Sequence, residues 1–145
     1  MSILRHTIAA MLSAGFLIAV AITVYFVCAA IGNDAGGPMV PFLIPLFAVI
    51  GGIGTTLIVY FPIAFFFQWL SRKMRVRFWI PPLMFFALAF LFFVVWLVFD
   101  WKRLPSFEDF GLAALCGLFF TGGFTVYWLV LVIGQRLFRR HESAG

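Results

Sequence analysis

An all-α integral membrane protein, a bundle of four transmembrane helices arranged as two helical hairpins, is the fold class predicted by this sequence of 145 residues. Three observations carry it. Hydrophobic residues make up 65% of the chain and charged residues 10%, with a mean hydropathy of +1.15, far from the roughly 45–50% apolar and about 25% charged usage of soluble domains. The apolar residues gather in four uncharged stretches, each long enough at about 1.5 Å per residue to cross a hydrocarbon core of about 30 Å. The basic residues sit in short caps beside those stretches, four of the ten Lys and Arg falling within Ser71 to Arg77 (SRKMRVR). No stretch has the composition of a soluble domain or of low complexity, so residues 1–145 read as a single four-span membrane domain.

The first span is expected at 7–31. Its apolar run far exceeds the ~7 to 15 residues of a cleavable signal core, so it reads as a retained helix, with cleavage after Ala29 or Ala30 the alternative. Cys28 follows Tyr25, Phe26 and Val27 rather than small residues, which argues against lipid attachment. Cys28 and Cys116 are expected as free, buried thiols, with a disulfide between them the alternative. The connector Gly32 to Pro41 (GNDAGGPMVP) is rich in turn formers and has no positive charge, so the second span, 42–70, should run antiparallel to the first. That span contains Pro62, which lacks an amide donor and crowds the preceding turn, and a kink is expected there.

After the basic knot, the third span, 78–99, opens on Pro81 and Pro82, tolerable in a first turn whose amides lack intrahelical partners. It is dominated by Phe, Leu and Val and should largely face lipid. The fourth span, 107–138, follows Ser106, whose hydroxyl can cap the amide of Asp109, while Glu108 and Asp109 suit the positive helix end. Ala113, Gly117, Thr121 and Thr125 recur at four-residue intervals on this span, and Ala48, Gly52 and Thr56 form a similar row on the second. Small residues let membrane helices approach closely, so a seam between spans two and four is expected.

Orientation follows from positive charges in short flanks. Arg5, Arg72, Lys73, Arg75, Arg77, Arg136, Arg139 and Arg140 lie on one side, against Lys102 and Arg103 on the other, which makes the crowded side cytoplasmic with both termini. Trp69, Trp79, Tyr25, Trp96 and Trp101 fall near the expected interfaces. The overall charge of +5 is therefore a topology signal and not the footprint of a nucleic-acid surface. Arg72, Lys73, Arg75 and Arg77 suit anionic headgroups of membrane lipids as well. A shift of 67 residues superposes Val59-Tyr60 on Val126-Tyr127, Gln68 on Gln135, Leu70 on Leu137, Arg72 on Arg139 and Lys73 on Arg140, and pairs Arg5 with Arg72 and Pro38 with Pro105. Two origins fit: a parallel duplicated hairpin, or the recurrence of basic ends and aromatic belts by composition alone.

Candidate chemistry is sparse. No Asp, Glu, Lys, Arg or His falls well inside a span, where such a group usually marks a proton relay or ion pathway. Tyr60 and Tyr127 are expected near the midplane, each needing a hydrogen-bond partner. Gln68 and Gln135 sit near the cytoplasmic interface as ordinary anchors. His6 and His141 are terminal and have no Cys at metal-ligand spacing, and no nucleophile, base and acid are grouped, so neither a catalytic site, a metal nor a cofactor is expected. The chain resembles small four-span multidrug exporters in size alone, because its first span lacks their acid. Gly122-Gly123-Phe124-Thr125 resembles the Gly-Gly-x-Thr turn of small four-span fluoride channels, but sits in the fourth span instead of the third and is followed by Val126-Tyr127, which departs from that pattern. Two functions remain. One is binding a membrane-protein partner or a membrane-inserting toxin, as an accessory subunit or an immunity-type protein, a class this chain resembles in size and architecture. The other is an oligomeric channel or transporter of this chain for a small neutral or anionic solute.

Overall fold

The computed structural model describes residues 2–32, 40–102, 104 and 106–143, and the side chains of these except 2, 101, 141 and 142. The connector 33–39, Pro38 and Pro105 of the internal alignment, and Arg103 lie outside the described residues. The helices are α1 (Ser2–Gly32), α2 (Val40–Thr55), α3 (Phe61–Lys73), α4 (Ile80–Trp101) and α5 (Phe107–Ser143), with a π-helical turn, Thr56–Tyr60, joining α2 to α3. Taking α2, the π turn and α3 as one unit, four helical units are long and apolar enough to cross a membrane. This is an all-α, multi-pass membrane protein.

The helices overrun the expected spans where polar residues continue the helical path. α1 starts at Ser2, so Arg5 and His6 ride on its first turns, and α5 carries Arg136, Arg139 and Arg140 to Ser143. The third helix begins two residues later than expected, at Ile80, because Phe78 and Trp79 form a turn closed by the Ile80 amide donating to the Arg77 carbonyl at 3.1 Å. Pro81 and Pro82 occupy its first turn as anticipated. Ser106 and Asp109 cap α5 reciprocally: the Ser106 amide donates to Asp109 Oδ2 at 2.7 Å, and the Asp109 amide lies 3.4 Å from Ser106 Oγ.

α1 packs along α2, and α4 along α5, as two hairpins, and α1 lies against α5 to join them. The expected seam between spans two and four is corrected here. A Cβ at Gly52 would stand 3.0 Å from Ile18 Cγ1 and 3.4 Å from the Ala14 carbonyl oxygen, both on α1. One at Gly117 would stand 3.3 Å from Phe86 Cε2 and 3.5 Å from the Phe90 nitrogen, both on α4. Each small-residue recess therefore receives its own hairpin neighbour, which a short connector already holds antiparallel and adjacent. Of the remaining row members, Ala113 and Thr56 are buried, whereas Ala48, Thr121 and Thr125 are half-buried. The second unit meets α5 through large aromatic residues instead: Tyr60 lies edge-on to Phe124 at 5.7 Å and Phe67 edge-on to Trp128 at 6.3 Å.

Among the described glycines the least room for a side chain is at Gly123 of α5. A Cβ at Gly123 would lie 2.7 Å from both Leu17 Cδ2 and Tyr60 Oη, and Ser13 Oγ donates to the Gly123 carbonyl at 2.8 Å. α4 turns Leu83, Leu88, Leu91, Phe92 and Phe99 outward, in keeping with a lipid-facing helix. Cys28 and Cys116 are free thiols, but Cys28 is exposed rather than buried, because it lies on the outward face of α1.

Candidate functional site

Three features stand out, and the π turn orders them. Pro62 lacks an amide hydrogen and its ring crowds the turn before it. The chain answers by widening that turn: the Phe61 amide donates to the Thr56 carbonyl, five residues back, in the i→i+5 pattern of a π turn. The extra residue swings Tyr60 into the bundle, fully buried, where its hydroxyl donates to the Phe120 carbonyl at 2.6 Å. Thr56 is satisfied within its own helix by donating to the Gly52 carbonyl at 2.8 Å.

Around Tyr60 the bundle centre is filled by aromatic rings. Phe85 and Phe124 stack at 4.5 Å, and Tyr60 stands edge-on to Phe85 at 5.5 Å and to Tyr127 at 6.4 Å. Beside this plug, between the second unit and α4, runs an apolar groove of about 350 Å³. Thr55, Val59 and Ile63 form one wall, Leu88, Ala89 and Phe92 belong to the other, and Phe120 closes the back.

The third feature is a polar array at the end of the bundle where the arginines gather. Tyr127 Oη and His6 Nδ1 are 2.8 Å apart, a hydrogen bond between α5 and the first turns of α1, and the His6 ring stands edge-on to Phe61 at 5.2 Å. Arg5 passes over the recess at Gly134, where a Cβ would lie 3.1 Å from its Cδ, and sets its guanidinium 5.3 Å from the centre of the Phe138 ring. Arg5 Nε is shut off from solvent and bonds no described group. Arg5, Gln68, Ser71, Arg72, Gln135, Phe138 and Arg139 surround a cavity of about 550 Å³. Trp128 holds the adjoining loop by donating from Nε1 to the Phe78 carbonyl at 2.8 Å.

The four cations of the knot are exposed, and they divide: Arg72 enters the cavity, whereas Lys73 turns onto Trp69, with Nζ 5.5 Å from that ring, and Arg75 and Arg77 line no part of it. Tyr60 and Tyr127 do come together, and Gln68 with Gln135, and Arg72 with Arg139, meet at the same cavity. Thr125 donates to the Thr121 carbonyl at 2.7 Å, while the buried Thr121 hydroxyl has no partner among the described residues. Arg5, His6 and Ser13 are the contributors that sequence reasoning missed. His6, Ala9, Ser13 and Leu17 follow helical spacing along one face of α1, a pattern that would have flagged them had the helix been started before Thr7. Among the described residues, no group of three His, Cys, Asp or Glu side chains is placed to hold a metal ion. No family model, curated protein or solved structure is similar enough to this chain to count as a match.

Proposed function

We propose that this chain is a protein of the bacterial inner membrane, both termini cytoplasmic, that works by binding another membrane-embedded protein, as an accessory subunit or an immunity-type partner of a membrane-inserting toxin. The observation that carries this reading is the apolar groove between the second unit and α4. An apolar helix laid in such a groove buries side chains at i, i+3, i+4 and i+7, and the small Ala89 on the groove wall permits the close backbone approach that van der Waals packing between membrane helices requires. The aromatic plug around Tyr60 favours binding over conduction, because it fills the centre of the single bundle where a solute would pass. The hydroxyls of Tyr60, Thr56 and Thr125 near it are engaged with carbonyls of the chain itself, which favours a structural role for these three.

The test places the photoreactive residue p-benzoylphenylalanine at Leu88 or Phe92 in the groove and, as a control, at Leu12 on the exposed face of α1. Irradiation of intact membranes should give the same discrete membrane-protein adduct from both groove positions, none from Leu12, and none from the groove positions when Ala89→Trp fills the groove. Adducts with lipid alone, or an equal adduct from Leu12, would overturn the reading. Liposomes carrying the pure protein should show no proton, potassium, chloride or fluoride flux above empty vesicles. Reproducible flux abolished by Tyr60→Phe or Thr121→Val would replace binding by the channel or transporter.

A further inference from the structure

The cavity at the arginine-rich end brings three cations together from three different helices: Arg5 of α1, Arg72 of α3 and Arg139 of α5. Like charges gathered around one cavity repel unless an anion lies among them. Among the described side chains no carboxylate lines this space; Asp100, Glu108 and Asp109 belong to the opposite end of α4 and α5, and Glu142 is the one acid of the helices at the arginine-rich end, in the last turn of α5. The donors suit one kind of anion. Guanidinium groups present planar forks that match phosphate oxygens, the Phe138 ring beside Arg5 fixes one such group, and the amides of Gln68 and Gln135 add neutral donors.

Against this polar cavity lies a second, mainly apolar crevice of about 490 Å³ between α1 on one side and the π turn and α3 on the other, with Met11, Leu57, Phe61 and Phe65 among its walls. The two share Gln68 and Arg72. A basic cavity at the end of the helices that continues into an apolar crevice along them has the shape of a charged head with a hydrocarbon tail. We propose that this is a binding site for a phosphate-bearing anion, held by Arg5, Arg72 and Arg139, and that when an anionic glycerophospholipid supplies the phosphate one acyl chain lies in that crevice. The site shares no residue with the groove beside α4, so it stands or falls independently of the partner-binding reading.

The experiment uses the full chain purified in a neutral detergent and measures its binding of dioctanoyl phosphatidylglycerol, dioctanoyl phosphatidylcholine and inorganic phosphate. Phosphatidylglycerol should saturate one site at least about tenfold more tightly than either of the others. Arg72→Gln and Arg139→Gln, both at exposed positions that do not hold the core, should each weaken it about fivefold, and Arg72→Lys should weaken it less than Arg72→Gln. Arg75→Gln, which removes the same charge from the same knot outside the cavity, should leave the affinity unchanged. Inorganic phosphate that binds as tightly and competes would assign the site to a soluble phosphate and overturn the lipid source. Equal binding of the two lipids, or a loss in Arg75→Gln as large as in Arg72→Gln, would overturn the site itself.

Discussion

At the scale of single residues, the tightest constraint is Gly123, where α1, the π turn and α5 meet. An alanine there has to displace Leu17 and the Tyr60 hydroxyl, each 2.7 Å from its Cβ, and overpacking of this kind costs about 1–3 kcal/mol. Gly51 is the matching control, because a Cβ there meets nothing within 4 Å and alanine favours the helix by up to about 1 kcal/mol. In detergent, Gly123→Ala should therefore unfold at a clearly lower temperature than the parent, and Gly51→Ala at the same or a higher one; equal shifts would remove the crossing at Gly123. A second residue-scale expectation concerns Tyr60. Its phenol donates to the Phe120 carbonyl, and Tyr60→Phe removes that bond without changing the packed ring, so a loss of about 1 kcal/mol is expected by thermal or denaturant unfolding. The need of both tyrosines for partners was legible in the sequence, since a phenol in hydrocarbon is costly when unpaired. Which partners they take was not: His6 is 121 residues from Tyr127, and nothing local in either segment specifies the other.

At the scale of elements, helix boundaries were legible wherever a local signal existed. Ser106 and Asp109 announced the start of α5, and the paired prolines 81 and 82 the first turn of α4, because caps and missing amides act within a few residues. At Pro62 the sequence predicts a kink, whereas the irregularity the structure shows is the π turn Thr56–Tyr60 just before it, whose extra residue is retained by where Tyr60 must reach in the folded bundle. The small-residue rows named contact faces without naming the neighbour: a recess at four-residue spacing admits any helix, and connectivity assigned Gly52 to α1 and Gly117 to α4. Gly117→Leu should accordingly lower the thermal stability of the purified protein more than Leu91→Ala, because Leu91 is exposed on α4 whereas added bulk at Gly117 pushes Phe86 and the α4 backbone away from α5. Similar losses would show that α4 and α5 do not depend on this recess.

At the scale of the whole molecule, composition and four apolar stretches were enough for the architecture, because the bilayer leaves a charged-capped apolar chain few ways to satisfy its backbone. Orientation rests on charge asymmetry alone, and alkaline phosphatase fusions measure it: activity is expected after Gly36 and Ser106, and none after Arg75 and Gly145, with the reverse pattern inverting the protein in the membrane. The contacts that α1 makes with α5 also bear on biogenesis. Chains are made from the N-terminus at about 5–20 residues per second, so α1 enters the bilayer well before α5 exists. Ser13 finds its acceptor 110 residues later and His6 its partner 121 residues later. Through that interval His6 and Ser13 of α1 are without their final partners, and the first hairpin is an incomplete intermediate that the last helix must close. A chain halted before α5 would present these two side chains to lipid, to other unassembled helices and to the proteases that patrol the membrane.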